Sequence, residues 1–425
     1  MRYFVLAIFI WMQSLVFGQK TFEYPRAPKD TTFSRTYHDT TIYDPYHWME
    51  DPTDPRLEPW LEEQYKLTEK LDRKQRDRGI LHSQIAAIYH NVYYKATDEY
   101  NRKKETDKKE KYEFKFKKKK NSETPSILYK KPGETVFQYL MKVKDFRYDK
   151  EDNIEIVRTF VHDSSQIAMI RISHSGSDWE EAYFFHLPSK TQLQDTLKYL
   201  RAGSNVVWHN NGVYYDHYAP PQPGRELLDK AKGQTLKFHK IGTQQHEDRM
   251  MYYNPDTTGL HQMSFHKLDS NYLIIYHKIF SRGKVYNAIG QVDLRNESPF
   301  MVKDFLMLDD NGVKFEAKFI SKDTVWLESN WDAPNGKVYI SFLNQVNKVV
   351  EFVSEADVPL KFVNKLGNDK LVCGYSDHYE IYNHQGELLK TAELPANKTI
   401  KHFYEYDPEA RFTAFCLSSF YHPDL

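Results

Sequence analysis

Asn335-Gly336-Lys337-Val338-Tyr339-Ile340-Ser341-Phe342 contains the pattern that decides the fold of most of this chain. An Asn-Gly pair accepts the positive φ of a tight hairpin turn, and the run after it is rich in the β-branched and aromatic residues of a strand, read with a period of two. The same period of two recurs in Tyr112-Glu113-Phe114-Lys115-Phe116, Gly212-Val213-Tyr214-Tyr215 and Tyr272-Leu273-Ile274-Ile275-Tyr276. Turn signals separate such runs at Asn210-Asn211-Gly212, Asp309-Asp310-Asn311-Gly312 and Gln385-Gly386. Strands never alternate with helical patterns beyond residue 90, which excludes a doubly wound α/β layout there. Groups of three or four strands start near residues 88, 154, 204, 260, 314, 358 and 400. That spacing, near 50 residues, suits the blades of a β-propeller, with a sandwich pair or β-helix as the rival on spacing alone. The seventh group is short, with runs at 399–406 and 411–417, so an incomplete last blade is expected.

Before residue 90 the period is helical. Asp54 can cap a helix with Pro55 at its first position, and Leu57, Trp60, Leu61, Leu67 and Leu71 repeat on one side. A second amphipathic helix is predicted from Leu81, Ile85, Ile88 and Tyr89. At the N-terminus, Met1-Arg2 precedes an apolar run over 3–17 that is short for a membrane span. Val16-Phe17-Gly18 suits signal-peptidase cleavage after Gly18, so residues 1–18 read as a signal peptide and the protein as exported, secreted or periplasmic. A retained signal-anchor is the alternative.

Composition narrows the function. The 425 residues carry 59 Lys+Arg and 59 Asp+Glu, and zero net charge argues against a nucleic-acid binder that relies on a basic field. The lysine-rich stretch 102–120 includes an alternating strand, so its lysines read as the solvent face of a hairpin with Pro125-Ser126-Ile127-Leu128-Tyr129. No His-Glu-x-x-His, zinc-spaced cysteine pairs or calcium loop is present, and neither a metal nor any other cofactor is expected. A nucleophile elbow needs Gly-x-Ser-x-Gly; the nearest text, Ser175-Gly176-Ser177-Asp178-Trp179, lacks its glycines and reads as a turn between strands. Cys373 and Cys416 both sit in apolar alternating runs, which favours two small buried strand residues over a disulfide. No catalytic residue can be named from these residues.

Three of these stretches resemble a known family. Tyr43-Asp44-Pro45-Tyr46-His47-Trp48-Met49-Glu50-Asp51-Pro52, followed by Trp60, resembles the N-terminal signature of the prolyl oligopeptidase (prolyl endopeptidase) family. Ser175-Gly176-Ser177-Asp178-Trp179 is similar to that family's propeller motif. So is the run from His239 to Asp248, where the family reads His-x-x-Gly-Thr-x-Gln-x-x-Asp. The resemblance implies a seven-bladed β-propeller, here over 76–425, preceded by an arm over 19–75 that packs on an α/β-hydrolase domain. In the family that domain follows the propeller and carries the catalytic Ser, Asp and His of a serine peptidase acting on short proline-containing peptides.

Carried onto this sequence, the resemblance makes Lys278 and Arg282 candidates for contact with the peptide's carboxyl side. It makes Asp178, Trp179 and Trp60 candidates for the domain interface. Where the family places a phenylalanine near the substrate pocket, this chain has Arg201-Ala202-Gly203. The expected role is to gate peptide access to a catalytic domain, supplied beyond this propeller or in trans. A stand-alone exported propeller that binds a peptide or protein is the alternative. No membrane or nucleic-acid partner is expected after signal cleavage.

Overall fold

The computed structural model describes residues 23–73, 78–95, 111–117, 125–150, 152–226, 228–256, 261–281, 283–295, 302–309, 312–367, 370–396, 398–403 and 415–418. The signal-peptide reading therefore lies outside the described residues. The chain divides into two compact units, residues 1–91 and 92–425. The arm–propeller boundary inferred at 75/76 lies within the first of them, between its two helices.

The first unit holds a hairpin (Ser34–Tyr37 with Thr40–Tyr43), helix α1 (Leu57–Asp72) and most of helix α2 (Arg78–Lys95). Helix α1 begins at Leu57, two residues later than the Pro55 start read from the sequence. The Asp54 carboxylate instead accepts the Arg56 backbone N–H and guanidinium, and so closes the turn that leads into the helix. The motif at residues 43–52 ties this unit together. The Trp48 indole N–H donates to the Pro28 carbonyl at 2.9 Å, Arg56 lies over the Trp48 ring, and His47 stacks on Phe33 at 3.5 Å.

The second unit is a succession of antiparallel sheets. Among the described residues there are seven: the first has three strands, the next five have four each, and the last has two. Their strands start at Glu113, Ile154, Val206, Ser264, Phe315, Leu360 and Thr399. Six of these starts fall within a few residues of the expected groups. The group placed near residue 88 is corrected: α2 continues to Lys95, and the first sheet begins at Glu113. The hairpin read from the sequence forms between Glu113–Lys117 and Ser126–Lys130, with Phe116 opposite Ile127.

Successive sheets share their cores. Ala168 and Ile170 of the second sheet pack with Ile127 and Tyr129 of the first, whereas Met169 between them packs with Val213 and Tyr215 of the third. Tyr214 joins Phe265 and Ile275 of the fourth sheet, and Ile274 joins Ala317 and Leu327 of the fifth. Val363 and Cys373 of the sixth meet Val338 of the fifth. Because side chains alternate across a strand, inner strands of the second to fifth sheets feed two cores, one with the sheet before and one with the sheet after. That is the layering of a β-propeller. Cys373 is a free thiol whose pKa is pushed well up by burial, so it serves as packing rather than as a nucleophile. The Cys416 side chain lies outside the described residues.

A glycine makes room for a ring within the sixth sheet. Gly374 stands opposite Phe362, and a Cβ placed on it would fall 1.8 Å from the Phe362 ring. Gly374→Ala is expected to displace that ring and destabilise the protein by about 1–3 kcal/mol, the usual cost of overpacking. Urea denaturation checks this; an unchanged midpoint would show that the ring moves without loss.

Candidate functional site

The Ser175-to-Trp179 motif is a turn, as read from the sequence. Ser175 and Gly176 take positive φ between the strands Ile167–His174 and Trp179–His186. Its two interface candidates converge on one neighbour. The Asp178 carboxylate pairs with the Arg201 guanidinium at 3.1 Å, and that guanidinium lies 4.9 Å over the Trp179 ring. The Trp179 indole N–H donates to the Glu226 carbonyl, and its ring meets the edges of Tyr199 and Tyr218. Arg201 thus occupies the ground where the resemblance led to a phenylalanine, and its contribution was not foreseen.

Beside this turn is a cleft of about 490 Å³ lined by Trp179, Tyr148, Tyr199, His174, Glu181 and two prolines, Pro221 and Pro223, among others. A β-bulge shapes one wall. Lys198 and Tyr199 together oppose Glu181, and Tyr199 takes φ 60°, unusual for a bulky side chain. Burial alone would raise the Glu181 pKa. Hydrogen bonds from Tyr148 and Tyr183, both at 2.5 Å, and from Lys198 at 3.0 Å outweigh it and hold the carboxylate ionised.

The other predicted contact residues lie elsewhere. Lys278 lines a second cleft of about 380 Å³ between the fourth and fifth sheets. Its ammonium donates to the Asn287 side-chain carbonyl on the neighbouring strand, and the Asn287 amide donates to the Val313 carbonyl at 3.0 Å. Arg282 lies outside the described residues. Trp60 is half-buried on α1, and its buried indole N–H has no acceptor among the described residues. Asp44, His47 and Glu50 bring their ligand atoms within 4.8 Å of one another at the surface of the first unit, an arrangement common without a bound ion.

The third motif is a clasp between sheets. His239, on Thr235–Lys240 of the third sheet, is fully buried between two carboxylates. Its Nδ1 lies 2.7 Å from Asp248 of its own motif, and its Nε2 lies 3.1 Å from Asp195 of the second sheet. Asp195 also accepts the Gly242 backbone N–H, and the Gln245 side chain bonds both the N–H and the carbonyl of Lys198. The Gly and Gln of the motif therefore bond across the seam. Asp195 escaped the sequence reading; its one signal was a carboxylate within an alternating strand.

Comparison with known proteins agrees with this architecture. The family model for the prolyl oligopeptidase N-terminal β-propeller domain matches residues 25–425. The chain is 23% identical to a prolyl endopeptidase of Elizabethkingia meningoseptica over 382 residues, covering 88% of this chain and 51% of that protein. It is 20% identical to a prolyl endopeptidase of Dictyostelium discoideum, covering 88% and 57%. The chain spans about half the length of the curated relatives it matches. Among solved structures, prolyl oligopeptidase B of Galerina marginata bound to a 35mer hydrolysis and macrocyclization substrate superposes with TM-score 0.61 at 16% identity, covering 93% of this chain and 57% of that one. A prolyl endopeptidase structure gives 0.52 at 17%, covering 94% and 56%.

The seam is expected to respond to pH. Burial alone would lower the His239 pKa, but Asp248 and Asp195 outweigh it and raise it. The clasp therefore stabilises fully below the ordinary histidine value and is lost as pH rises through the raised one. Asp216, also buried in the third sheet, is pushed up to about 7 by burial, so the fold gains stability as pH falls towards and below that value. The urea midpoint should fall between pH 6 and pH 8. Asp216→Asn should raise stability at pH 8, on the order of a few kcal/mol, and flatten the profile. His239→Gln should lower stability at pH 6 more than at pH 8. A parent profile flat over this range would refute both assignments. With its motif residues placed and residues 25–425 matched, the chain belongs to the prolyl oligopeptidase family and spans that family's N-terminal β-propeller domain.

Proposed function

We propose that this propeller is the substrate-admitting part of an exported serine-type peptidase that acts on short proline-containing peptides. The observation that carries the reading is the family match over residues 25–425, supported by relatives that are themselves prolyl endopeptidases. The propeller's contribution is selection without chemistry: a passage through it admits a flexible peptide and rejects a folded protein by size. Acyl transfer needs a nucleophile, a base and oxyanion donors, and the last of these are worth several kcal/mol in the transition state. In the family those groups belong to an α/β-hydrolase domain, which is the partner proposed here.

In this reading Asp178 and Trp179 meet the hydrolase domain from one side, and Trp60 on α1 meets it separately. The Arg201 contacts support the first pairing, because they hold the Trp179 ring in a fixed pose. Lys278 supplies a positive charge to the carboxyl side of the bound peptide, supported by its place in a cleft. Arg282 is assigned the same role on the resemblance alone.

The test is direct. The 425-residue chain by itself is expected to release no product from a chromogenic Gly-Pro peptide beyond a mock preparation, and coexpression with a family hydrolase domain is expected to restore cleavage. Proline-specific cleavage by the chain alone would overturn the division of labour. Mass spectrometry of the protein from its source is expected to find Gln19 at the N-terminus; an intact Met1 would refute export by signal cleavage.

A further inference from the structure

The clasp at His239 and the cleft beside Trp179 belong to one hydrogen-bonded network. Both ring nitrogens of His239 face carboxylates, Nδ1 at 2.7 Å from Asp248 and Nε2 at 3.1 Å from Asp195. An ionised carboxylate only accepts, so both contacts are hydrogen bonds only while the ring carries two protons. Each arm ends on the same bulge. Asp195 lies on the strand Thr191–Arg201 itself, shortly before Lys198. Asp248 accepts the Tyr215 hydroxyl at 2.5 Å, and Tyr215 accepts the Gln245 amide at 3.2 Å. That amide also donates to the Lys198 carbonyl, and its oxygen accepts the Lys198 N–H, both at 3.0 Å. Lys198 and Tyr199 form the bulge, and both line the cleft. Burial pushes the Tyr215 pKa up, so its hydroxyl keeps the proton that the relay needs. Among the described residues, the charged groups acting on the imidazole are Asp248 and Asp195; Lys237, on the same strand, interacts with Asp248, and the neighbouring strand Trp179–His186 presents the uncharged Phe184 ring.

We propose that the protonation state of His239 sets the shape of the cleft beside Trp179, which is held while the imidazolium grips both carboxylates and relaxes when the ring becomes neutral. A neutral imidazole has one N–H. It can keep one carboxylate and must turn a lone pair towards the other, and a buried acceptor left facing a lone pair is costly. Whichever arm lets go, the bulge loses a constraint: either Asp195 on its own strand, or the route from Asp248 through Tyr215 and Gln245 to Lys198. Burial lowers the His239 pKa, and the two carboxylates raise it by more, so the change falls above the ordinary histidine value of 6.5. The coupling is local to the second and third sheets. It needs neither a hydrolase domain nor a proline peptide, so it stands apart from the peptidase reading.

The test follows the folded 425-residue chain, without denaturant, from about pH 5 to about pH 9.5. Acrylamide quenching of the Trp179 emission, taken as the parent minus Trp179→Phe, is expected to strengthen by about twofold or more in one transition above the ordinary histidine value. Amide exchange at Lys198, corrected for its intrinsic rate at each pH, is expected to speed up by about tenfold over the same transition, and needs no change at Trp179. Amides of the distant strand Leu360–Leu366 should keep their protection. His239→Gln removes the titrating ring and should abolish both responses; in the parent, the His239 ring titration followed by NMR should share their midpoint, which decides the matter if that variant does not fold. The rival titrating groups are His174, which lines the cleft between Asp152 and Glu181, and the buried Asp216. A response that persists in His239→Gln would assign the effect to one of them and overturn the proposal. So would no response at all, a ring titration with a different midpoint, or an equal loss of protection at Leu360–Leu366, which would mark general loosening of the fold.

Discussion

The inner strands of the middle sheets are buried on both faces, and neither face would be stable in water. Ile167–His174 is buried at six consecutive positions, and Gly212–His217 at five of six. A strand of that kind cannot belong to a half-solvated sheet, whose outward positions would be polar. The second to fifth sheets are therefore each placed between two others, and the hydrophobic term that favours this scales with the area covered. The sharing of Met169, Tyr214 and Ile274 among successive cores follows from that one requirement.

Seams this apolar limit where polar groups can go. A buried imidazole, carboxylate or guanidinium must find its partners inside the seam, because leaving one unmade costs more than the bond contributes. His239 meets this with Asp195 and Asp248. Arg171, 2% exposed, pairs with Glu180 at 2.5 Å and donates to the carbonyls of Ser204 and Arg201. The family motif at 239–248 is thus explained by seam chemistry without any contact to substrate. Its polar residues are those that the packing of the second sheet on the third cannot leave unpaired.

Six of the seven sheets were legible in the sequence, because period-two runs and turn residues are local signals. Asn210, Gly312, Gly336 and Gly386 all take the positive φ that such turns require. Helix α2 was only half read. Beyond Ile88 its residues include Val92, Tyr93 and Tyr94, types that favour strands, yet the helix continues to Lys95. Its apolar positions also mislead, since Leu81 and Ile85 remain about half exposed, at 57% and 49%. The turn at 175–179 was legible, but its engagement with Arg201 was not, because 22 residues separate the two and only the strand pairing of Trp179 with Arg201 brings them together.

The two clefts were the least legible feature, and the reason is physical. A complete seam leaves no room for a ligand, since interiors pack at crystal-like density. Space appears where the ladder slips. The cleft beside Trp179 adjoins the bulge at Lys198 and Tyr199, and the cleft beside Lys278 includes Ile289 and Leu306, next to the register shift between Ile289 and Gly290. A bulge adds one residue to one strand and re-aims the side chains beside it. Such a slip depends on the pairing of two strands and is not encoded in the period of either one. The regularity that makes this fold readable therefore conceals where its clefts lie.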